Sequence, residues 1–264
     1  MRDGEASVTA QRVAAHRLNF DRMSTPYGDP TADERLSRDV AGESTTGSAE
    51  RMADYLAART TFFDRTVVAA LDCGVTQVVV AAAGYDGRAW RYAKPGVRWF
   101  EVDHPDTQRD KQRRLQRLSI GTDQLTFVPA DFTADQVGPR LAAAGLDPTR
   151  TSLMLCEGVA AYLDRPVLVA LLQGLAEVAA QRSRLAISLS VATGSPGLAD
   201  RRAQFQAGVA AFSEPARTVL TADDADPLLM AAGWRPVSIP SEAGPDRERA
   251  RKAGLVTAEA ARPV

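Results

Sequence analysis

The sequence predicts an α/β fold with a doubly wound, mostly parallel sheet and an N-terminal helical cap. Short runs of consecutive apolar residues, many of them β-branched, alternate with longer amphipathic stretches through most of the chain. Continuous apolar runs are typical of strands that are buried on both faces, and the amphipathic stretches between them indicate helices that cover those faces. Strands and helices in alternation form parallel sheets.

We place the cap at residues 1–48, because this part of the chain contains helical patterns and no strand pattern. Apolar residues recur at helical spacing over 8–23, and Pro26 then interrupts the chain. A second helix is expected over 32–40. The stretch over 41–48 is rich in Gly, Ser and Thr, so we expect it to be a loop that separates the cap from the main domain.

The main domain is placed at 49–243, and it contains the predicted strands and the remaining helices. The strands are expected over 77–81, 99–102, 125–128, 152–156, 184–191 and 234–239. The helices are expected over 49–71, 106–118, 133–144, 166–181 and 197–211. The last segment, 244–264, is rich in Arg and Ala, and we expect a C-terminal tail that is a frayed helix or disordered.

The composition argues against partners that require a strongly charged or strongly apolar surface. The net charge is −1, from 32 basic and 33 acidic residues, so no overall field attracts nucleic acid or an anionic membrane. The sequence has neither the apolar stretch of a signal peptide nor an apolar run long enough to span a membrane. Cys73 and Cys156 cannot form a disulfide framework. We therefore predict a cytoplasmic protein, and the sequence does not indicate its oligomeric state.

A turn of small residues follows the first predicted strand and contains Ala82 and Gly84. The second strand ends at Asp103, nineteen residues after Gly84, which is the spacing at which an acid accepts hydrogen bonds from a ribose diol. The turn alone is equally consistent with a tight strand-to-helix connection without a ligand. Together with Asp103 it predicts a ligand with a free ribose, such as NAD, FAD or S-adenosylmethionine.

Acidic residues also follow the third and fourth strands. Asp131 is suited to accept from an adenine amino group, and Phe132 beside it can cover the ring. Glu157 follows the fourth strand. Each acid alone could be a solvated loop carboxylate, but three at neighbouring strand ends favour a cationic adenosyl ligand, whereas a dinucleotide needs donors for its pyrophosphate. We therefore predict S-adenosylmethionine as the cofactor.

Several short motifs occur in a fixed order between residue 6 and the Gly233-Trp234 pair. They are Val13-Ala14-Ala15-His16-Arg17, Gly28-Asp29-Pro30-Thr31-Ala32, Ala58-Arg59-Thr60, Ala83-Gly84-Tyr85-Asp86-Gly87-Arg88, Glu101-Val102-Asp103-His104-Pro105 with Lys111, and Glu157-Gly158 with Tyr162-Leu163. In this order they resemble the leucine carboxyl methyltransferase family and its bacterial branch. The resemblance implies a class I methyltransferase fold, which is Rossmann-like, and O-methylation of a small-molecule carboxylate or phenol in bacterial secondary metabolism.

The resemblance also implies roles for individual residues. Arg59 would pair with the methionyl carboxylate of S-adenosylmethionine, and Asp103 would hold the ribose. Asp131 and Phe132 would flank the adenine. Glu157 would lie near the amino group and the sulfonium.

Glu157 and Tyr162 are the predicted catalytic residues. Methylation of a carboxylate requires alignment and exclusion of water more than a base, because the carboxylate is already ionised near neutral pH. A phenol would benefit from a base, for which Tyr162 or His16 is available. Tyr162 could equally be a packed helix residue with its hydroxyl at the edge of the cleft. His16 and His104 are too few for a metal site, so none is predicted, and His104 is expected to support Asp103.

Two positions depart from the family pattern. Ala82-Ala83-Gly84 stands where the family has Gly-x-Gly, and Gly87 stands where it has threonine. The methyl group of Ala82 is expected to crowd the methionyl end of the cofactor. Arg88 is expected to be an ion-pair partner of Asp64 or Asp86.

Two alternative functions remain open at this point. An NAD-type oxidoreductase would use the same fold, but the three-glycine fingerprint and a Tyr-x-x-x-Lys pair are missing. A binding protein or a non-methylating enzyme could retain the fold without turnover, and the departures at positions 82 and 87 are the observations that favour it.

Overall fold

The computed structural model describes residues 7–42, 50–192, 217–237, 250–251 and 253–261. The predicted helix over 197–211 lies outside these residues, as does most of the predicted loop over 41–48. Within the described residues, no helix combines the length and the apolar character that a membrane crossing requires.

Among the described residues, three helices precede the sheet: α1 (Val8–Arg17), α2 (Pro30–Ala41) and α3 (Glu50–Asp72). Side chains cap the first two, since the hydroxyl of Ser7 accepts from the Ala10 N–H and Asp29 accepts from the Thr31 N–H. The prediction that the first helix extends to about residue 23 is wrong. The chain leaves the helix after Arg17, and a tertiary ion pair, Arg22 with Asp64 of α3 at 2.5 Å, stabilises the different path.

The strands are β1 (Gln77–Ala81), β2 (Arg98–Asp103), β3 (Leu125–Pro129), β4 (Ser152–Cys156), β5 (Arg184–Ser188), β6 (Val191–Ala192), β7 (Leu220–Thr221), β8 (Trp234–Val237) and β9 (Leu255–Ala260). The other helices are α4 (Arg88–Arg91), α5 (Pro105–Arg117), α6 (Val137–Ala143), α7 (Arg165–Glu177) and α8 (Ala222–Ala231). The predicted fifth strand, 184–191, is therefore divided into β5 and β6.

Seven of the strands form one sheet in the order β3-β2-β1-β4-β5-β9-β8. Strands β1 to β5 pair in parallel, and β9 is antiparallel to both of its neighbours. The strand order reverses between β1 and β4, so a crevice is expected beyond the carboxyl ends of these strands. The predicted α/β class with a mostly parallel sheet is confirmed.

Helices cover the sheet on both faces, which confirms the doubly wound arrangement. One apolar core lies between the sheet and α6, α7 and α8, and a second lies between the sheet and α1, α2, α3 and α5. All five residues of β1 and of β4 are buried. These two strands were predicted with their observed bounds, because each is a short apolar run with polar or turn residues on both sides.

The predicted C-terminal tail, 244–264, contains a strand of the sheet. Strand β9 lies between β5 and β8, and its residues Leu255, Val256 and Ala258 are buried. The prediction of a frayed helix or disorder is therefore wrong for 255–260. The apolar run Leu255-Val256 was hidden by the surrounding Arg and Ala, and it is stabilised by pairing along both of its edges.

Candidate functional site

Asp103 connects the ends of β1 and β2. Its carboxylate accepts hydrogen bonds from the backbone N–H of Gly84 at 2.5 Å and of His104 at 2.6 Å. Burial raises the pKa of Asp103, against the effect of these two donors. The two hydrogen bonds hold the carboxylate beside the small-residue turn, at the edge of the sheet where a ligand is expected. The residue is half-buried, so part of it is open to solvent.

The small-residue turn has a backbone that favours glycine at two positions. Ala82 has a φ of 54° and Gly84 a φ of 50°, in the left-handed region that costs a residue with a Cβ roughly 1–2 kcal/mol. Space is also limited, because a Cβ on Gly84 would lie 2.8 Å from Cβ of Ala10 on α1. Gly84 therefore permits the cap to pack on the turn, and Ala82 is strained.

Asp131 and Phe132 follow β3, and both are half-buried. The backbone N–H and the hydroxyl of Thr133 donate to Asp131 at 2.9 and 2.7 Å, and these bonds lower the pKa of Asp131. Phe132 packs on the apolar core beneath α6 and α7. Their predicted positions beside an adenine ring stay predictions. The residue before them, Ala130, is joined to the end of β2 by a hydrogen bond from its N–H to the Asp103 carbonyl.

Arg59 of α3 and Glu157 at the end of β4 are brought together by the fold. Nε of Arg59 lies 3.1 Å from Oε1 of Glu157, and the ring of Tyr55 stacks under the guanidinium at 5.6 Å. Burial lowers the pKa of Arg59, but Glu157, Tyr55 and Tyr162 outweigh it and raise that pKa. The predicted site residues Arg59, Glu157 and Tyr162 are thus neighbours.

Gly158 brings the backbone against the guanidinium of Arg59. Its φ is 72°, and a Cβ at this position would lie 3.1 Å from Nη1 of Arg59. The carboxylate of Glu157 therefore binds the guanidinium of Arg59, and the lack of a side chain at Gly158 leaves room for it.

Two further arginines bind Glu157. Its Oε2 lies 2.6 Å from Nη1 of Arg88 and 3.0 Å from Nη2 of Arg17. Burial alone would raise the pKa of Glu157, but the three guanidiniums hold it well below its usual range. Glu157 is therefore ionised, and its charge is compensated within the protein.

Arg88 is fully buried and also binds Asp64 at 2.7 Å and Asp86. The predicted pairing of Arg88 with Asp64 or Asp86 is confirmed, and it involves both carboxylates. Sequence reasoning missed the contribution of Arg17. Arg17 lies inside one of the quoted motifs, but its partners Asp86 and Glu157 are distant in sequence and no local pattern links them.

These pairs belong to one larger cluster, which we call the buried ion network. Its members are Arg17, Arg22, Arg59, Arg88, Arg91, Asp33, Asp64, Asp86 and Glu157. Five guanidiniums face four carboxylates in this set, so the network has one excess positive charge. The partly exposed Glu34 approaches the network only at its outer edge, 3.5 Å from Arg91.

The two histidines lie on different elements. His104 caps α5, because its Nδ1 accepts from the Asp106 N–H at 3.3 Å. Its backbone N–H, and not its imidazole, supports Asp103. His16 stacks on Phe20, and burial together with Arg12 lowers its pKa. In the part of the chain that the structure describes, no three side chains of His, Cys, Asp or Glu are grouped to hold a metal ion.

Comparisons with known proteins agree with the predicted family. The model of the leucine carboxyl methyltransferase family matches residues 8–176. A relative from Mycobacterium avium is 36% identical over 203 residues, which cover 68% of this chain and 65% of the relative. A relative from Mycobacterium sp. strain JLS is 39% identical over 170 residues, which cover 64% of this chain and 53% of the relative. Both are named as proposed S-adenosyl-L-methionine-dependent methyltransferases, and the chain spans between half and two thirds of their length.

The fold also matches a solved structure over its full length. A DUF574 family protein from Streptomyces avermitilis superposes with a TM-score of 0.59 at 19% identity, over 99% of this chain and 99% of that one. At this identity the likeness supports the fold alone. The family match covers most of the chain and contains every predicted site residue. The chain therefore belongs to the leucine carboxyl methyltransferase family.

Proposed function

We propose that this chain binds S-adenosylmethionine across the carboxyl ends of β1 to β4 and methylates an oxygen of a small molecule, which we take to be a carboxylate. The observation that carries the proposal is the distribution of charge along this edge. The Arg59 guanidinium lies at the end of β4, and the Asp103 carboxylate lies at the end of β2. A cation at one end suits a methionyl carboxylate, and an acid at the other suits a ribose diol.

The residues present fit this cofactor. Asp103 is half-buried and fixed by two backbone donors, and Arg59 is held by Glu157 and closely approached by Gly158. Asp131 and Phe132 lie beyond Asp103, on the side where an adenine would extend. When bound, S-adenosylmethionine supplies a methyl group that is activated by its positive sulfur.

The NAD alternative is less consistent with the geometry. The helix after the small-residue turn, α4, has only four residues. A pyrophosphate is held by the N-terminus of a full helix in dinucleotide-binding folds, and so short a helix provides little of that dipole. The first side chain of α4, Arg88, is committed to carboxylates of the buried ion network.

The positive sulfonium of the cofactor favours an anionic acceptor. The methionyl amino and carboxylate groups cancel each other, so the charge that remains on the bound cofactor is that of its sulfonium. A carboxylate is ionised near neutral pH and is attracted by this charge, whereas a phenol must first lose a proton. In the transfer, an acceptor oxygen bonds to the methyl carbon as the carbon–sulfur bond breaks, and the electron pair stays on sulfur.

The protein groups orient the reactants and exclude water in this proposal. Arg59 aligns the methionyl end, Asp103 the ribose, and Tyr162, which lies near Arg59, borders the acceptor. Close alignment is sufficient to account for much of the rate of such a transfer. A role in secondary metabolism stays a prediction from the family resemblance, as does the cytoplasmic location.

Calorimetric titration and a radiolabelled methyl-transfer assay test the proposal. We expect S-adenosylhomocysteine to bind with a micromolar dissociation constant, about 8 kcal/mol, and NAD not to bind. With methyl-labelled S-adenosylmethionine, a panel of small carboxylic acids should contain acceptors. Binding of NAD alone would exclude the cofactor assignment. Binding of S-adenosylhomocysteine with transfer to phenols alone would exclude the carboxylate, and binding without any transfer favours a non-methylating protein.

A further inference from the structure

Glu101 on β2 and Lys111 on α5 form a buried pair that the proposed function does not use. We propose that Lys111 is a positioning residue: by holding the carbonyl oxygen of Asp86, it keeps the small-residue turn over 82–87 in its ribose-binding conformation. In that conformation the N–H of Gly84 fixes the carboxylate of Asp103. The inference rests on the proposed function, since it concerns how the ribose is bound.

The ammonium group of Lys111 joins α5 to β2 and to the turn. Its Nζ donates to the two carboxylate oxygens of Glu101 at 2.8 and 2.7 Å and to the carbonyl oxygen of Asp86 at 2.7 Å. It also lies 5.4 Å from the centre of the Trp90 ring, within the range of a cation–π contact. Lys111 is fully buried, so it acts on a ligand only through other groups.

The small-residue turn requires an anchor, because its backbone is strained. Ala82 and Gly84 both have a positive φ, which is unfavourable for a residue with a Cβ. The turn meets the end of β2 through a long hydrogen bond from the Ala83 N–H to the Val102 carbonyl, at 3.4 Å. The bond from Lys111 is shorter and comes from a helix, so it holds the far end of the turn in place.

The charges around Lys111 favour the carbonyl of Asp86 over its carboxylate. That carboxylate is already bound by Arg88 and lies 3.4 Å from Arg17. Glu101 holds the ammonium with both of its oxygens. Lys111 therefore supplies a donor to the backbone of the turn, whereas Arg88 and Arg17 compensate the Asp86 side chain.

The conformation of the turn determines the orientation of Asp103. The N–H of Gly84 binds one oxygen of this carboxylate and the N–H of His104 binds the other. The carbonyl that Lys111 holds lies only two residues after Gly84 in the chain. If this carbonyl is released, the Gly84 N–H can move away, and Asp103 loses one of the two donors that align it with the ribose diol.

Two ligands separate a positioning role from a purely structural one. S-Adenosylhomocysteine contains the ribose diol, and its dideoxyribose analogue does not, so the ratio of their dissociation constants measures the diol contact. We expect a ratio of about tenfold for the unaltered protein and of less than about threefold for Lys111→Met. An unchanged ratio in folded Lys111→Met would overturn the inference, even if both affinities fell.

The titrations use calorimetry at about pH 8, where Glu101 is ionised. Burial raises the pKa of Glu101 to about 7, and Lys111 opposes this effect.

A double-variant cycle tests whether Lys111 acts through Asp103. Lys111→Met combined with Asp103→Asn should bind S-adenosylhomocysteine with an affinity within about twofold of that of Asp103→Asn alone. Additive losses would contradict the inference, because they would show that Lys111 affects a different part of the cofactor.

A second variant keeps the inference falsifiable if Lys111→Met does not fold. Glu101→Met combined with Lys111→Met removes both charges of the buried pair, which proteins tolerate better than the loss of one partner. The carbonyl of Asp86 still loses its donor, so the ratio should again fall below about threefold. A ratio that stays near tenfold in this variant would also overturn the inference.

Lys94→Met is the matched control, because Lys94 makes the same kinds of contact elsewhere. Its Nζ donates to the Leu71 carbonyl at 2.8 Å. It also lies 3.5 Å from Asp72 and 4.9 Å from the centre of the Tyr27 ring. None of these groups belongs to the small-residue turn, so the ratio should stay near tenfold. An equal fall in Lys94→Met would show a general effect of losing such a lysine and would contradict the inference.

The unaltered protein distinguishes failure of the proposed function from failure of the inference. If it binds neither ligand, or binds both equally, the proposed ribose site fails and the inference fails with it. If it prefers the ligand with the diol and Lys111→Met retains that preference, only the inference fails.

Discussion

The carboxylate of Asp33 occupies the space into which any side chain at position 87 would project. A Cβ on Gly87 would lie 1.9 Å from Oδ1 of Asp33. Asp33 cannot withdraw, because Arg91 and Arg22 bind its Oδ2 at 2.5 and 3.3 Å. The absence of the family's threonine at this position therefore has a structural reason: helix α2 of the cap packs directly on the start of α4.

Replacing Gly87 by alanine should destabilise the protein. The added methyl group must displace Asp33 and its two arginines, and overpacking of this kind costs about 1–3 kcal/mol. The free energy of unfolding from urea titration measures the loss. Gly121→Ala is the matched control, because a Cβ at Gly121 meets no atom within 4 Å. Equal stabilities of the two variants would contradict the packing that we describe.

Replacing Ala82 by glycine should stabilise the protein. The substitution removes the cost of a left-handed φ, about 1–2 kcal/mol, and adds the entropy of glycine in the unfolded chain, about 0.4–1 kcal/mol. We expect a net gain of roughly 0.5–1 kcal/mol, measured by the same titration. Ala83→Gly, at an adjacent residue without a positive φ, should be destabilised. A loss of stability in Ala82→Gly would show that Ala82 is not strained.

Replacing Arg59 by lysine should weaken the binding of ligands that carry the methionyl carboxylate. Lysine keeps the charge beside Glu157 but cannot bind a carboxylate bidentately. We expect at least a tenfold loss in affinity for S-adenosylmethionine, about 1.4 kcal/mol, and a much smaller loss for 5′-methylthioadenosine, which lacks the methionyl carboxylate. Calorimetry with both ligands checks this result. Equal losses would mean that Arg59 acts on the pocket as a whole.

Replacing Asp103 by asparagine should weaken the binding of S-adenosylmethionine and of 5′-methylthioadenosine equally, because both ligands contain the ribose. The charge-assisted contact to the diol is lost, which we expect to cost about tenfold in affinity, or about 1.4 kcal/mol. Asp147→Asn is the control, since Asp147 lies in the turn before β4, at the opposite edge of the sheet. If affinity is unchanged in folded Asp103→Asn, the ribose does not bind there.

The buried ion network should make the protein sensitive to acid. Burial would raise the pKa values of Asp64, Asp86 and Glu157, but neighbouring arginines hold all three below their usual range. A carboxyl whose folded pKa is depressed contributes stability that is present above its unfolded pKa, near 4, and is lost as the pH falls through the folded pKa. Unfolding below about pH 4 therefore takes up protons.

Thermal melting between about pH 7 and pH 3 tests this dependence. The midpoint should change little down to about pH 5 and should fall steeply below about pH 4. Asp64→Asn should reduce the number of protons taken up by about one, since one titrating carboxyl is removed. A midpoint that stays constant to about pH 3 would show that these carboxyls have ordinary pKa values in the folded protein.

Local patterns were sufficient to predict most of the sheet and the acids at its edge. Apolar runs gave β1 and β4 with their observed bounds, and the spacing between Gly84 and Asp103 corresponds to a hydrogen bond between them. Strand β9 was missed, because its pairing with β5 and β8 depends on long-range contacts. Sequence patterns report such contacts only weakly.

The arginine partners of these acids could not be predicted for the same reason. Glu157 is bound by Arg17, Arg59 and Arg88, which come from three different helices. The sequence indicated only that Glu157 lies at the end of a strand, whereas in the folded protein three guanidiniums compensate its charge. Only the pairing of Arg88 was predicted, because Asp86 lies two residues away on the same turn.

The position of β9 determines the order in which the sheet can be completed during synthesis. Strand β9 follows β8 in the chain but lies between β8 and β5. Until residues 255–260 leave the ribosome, β5 has an open edge and β8 has no partner in this sheet. An open strand edge is a template for pairing with other chains. A chain that terminates before Leu255 is therefore expected to aggregate through β5, even though every residue of the proposed cofactor site has already been synthesised.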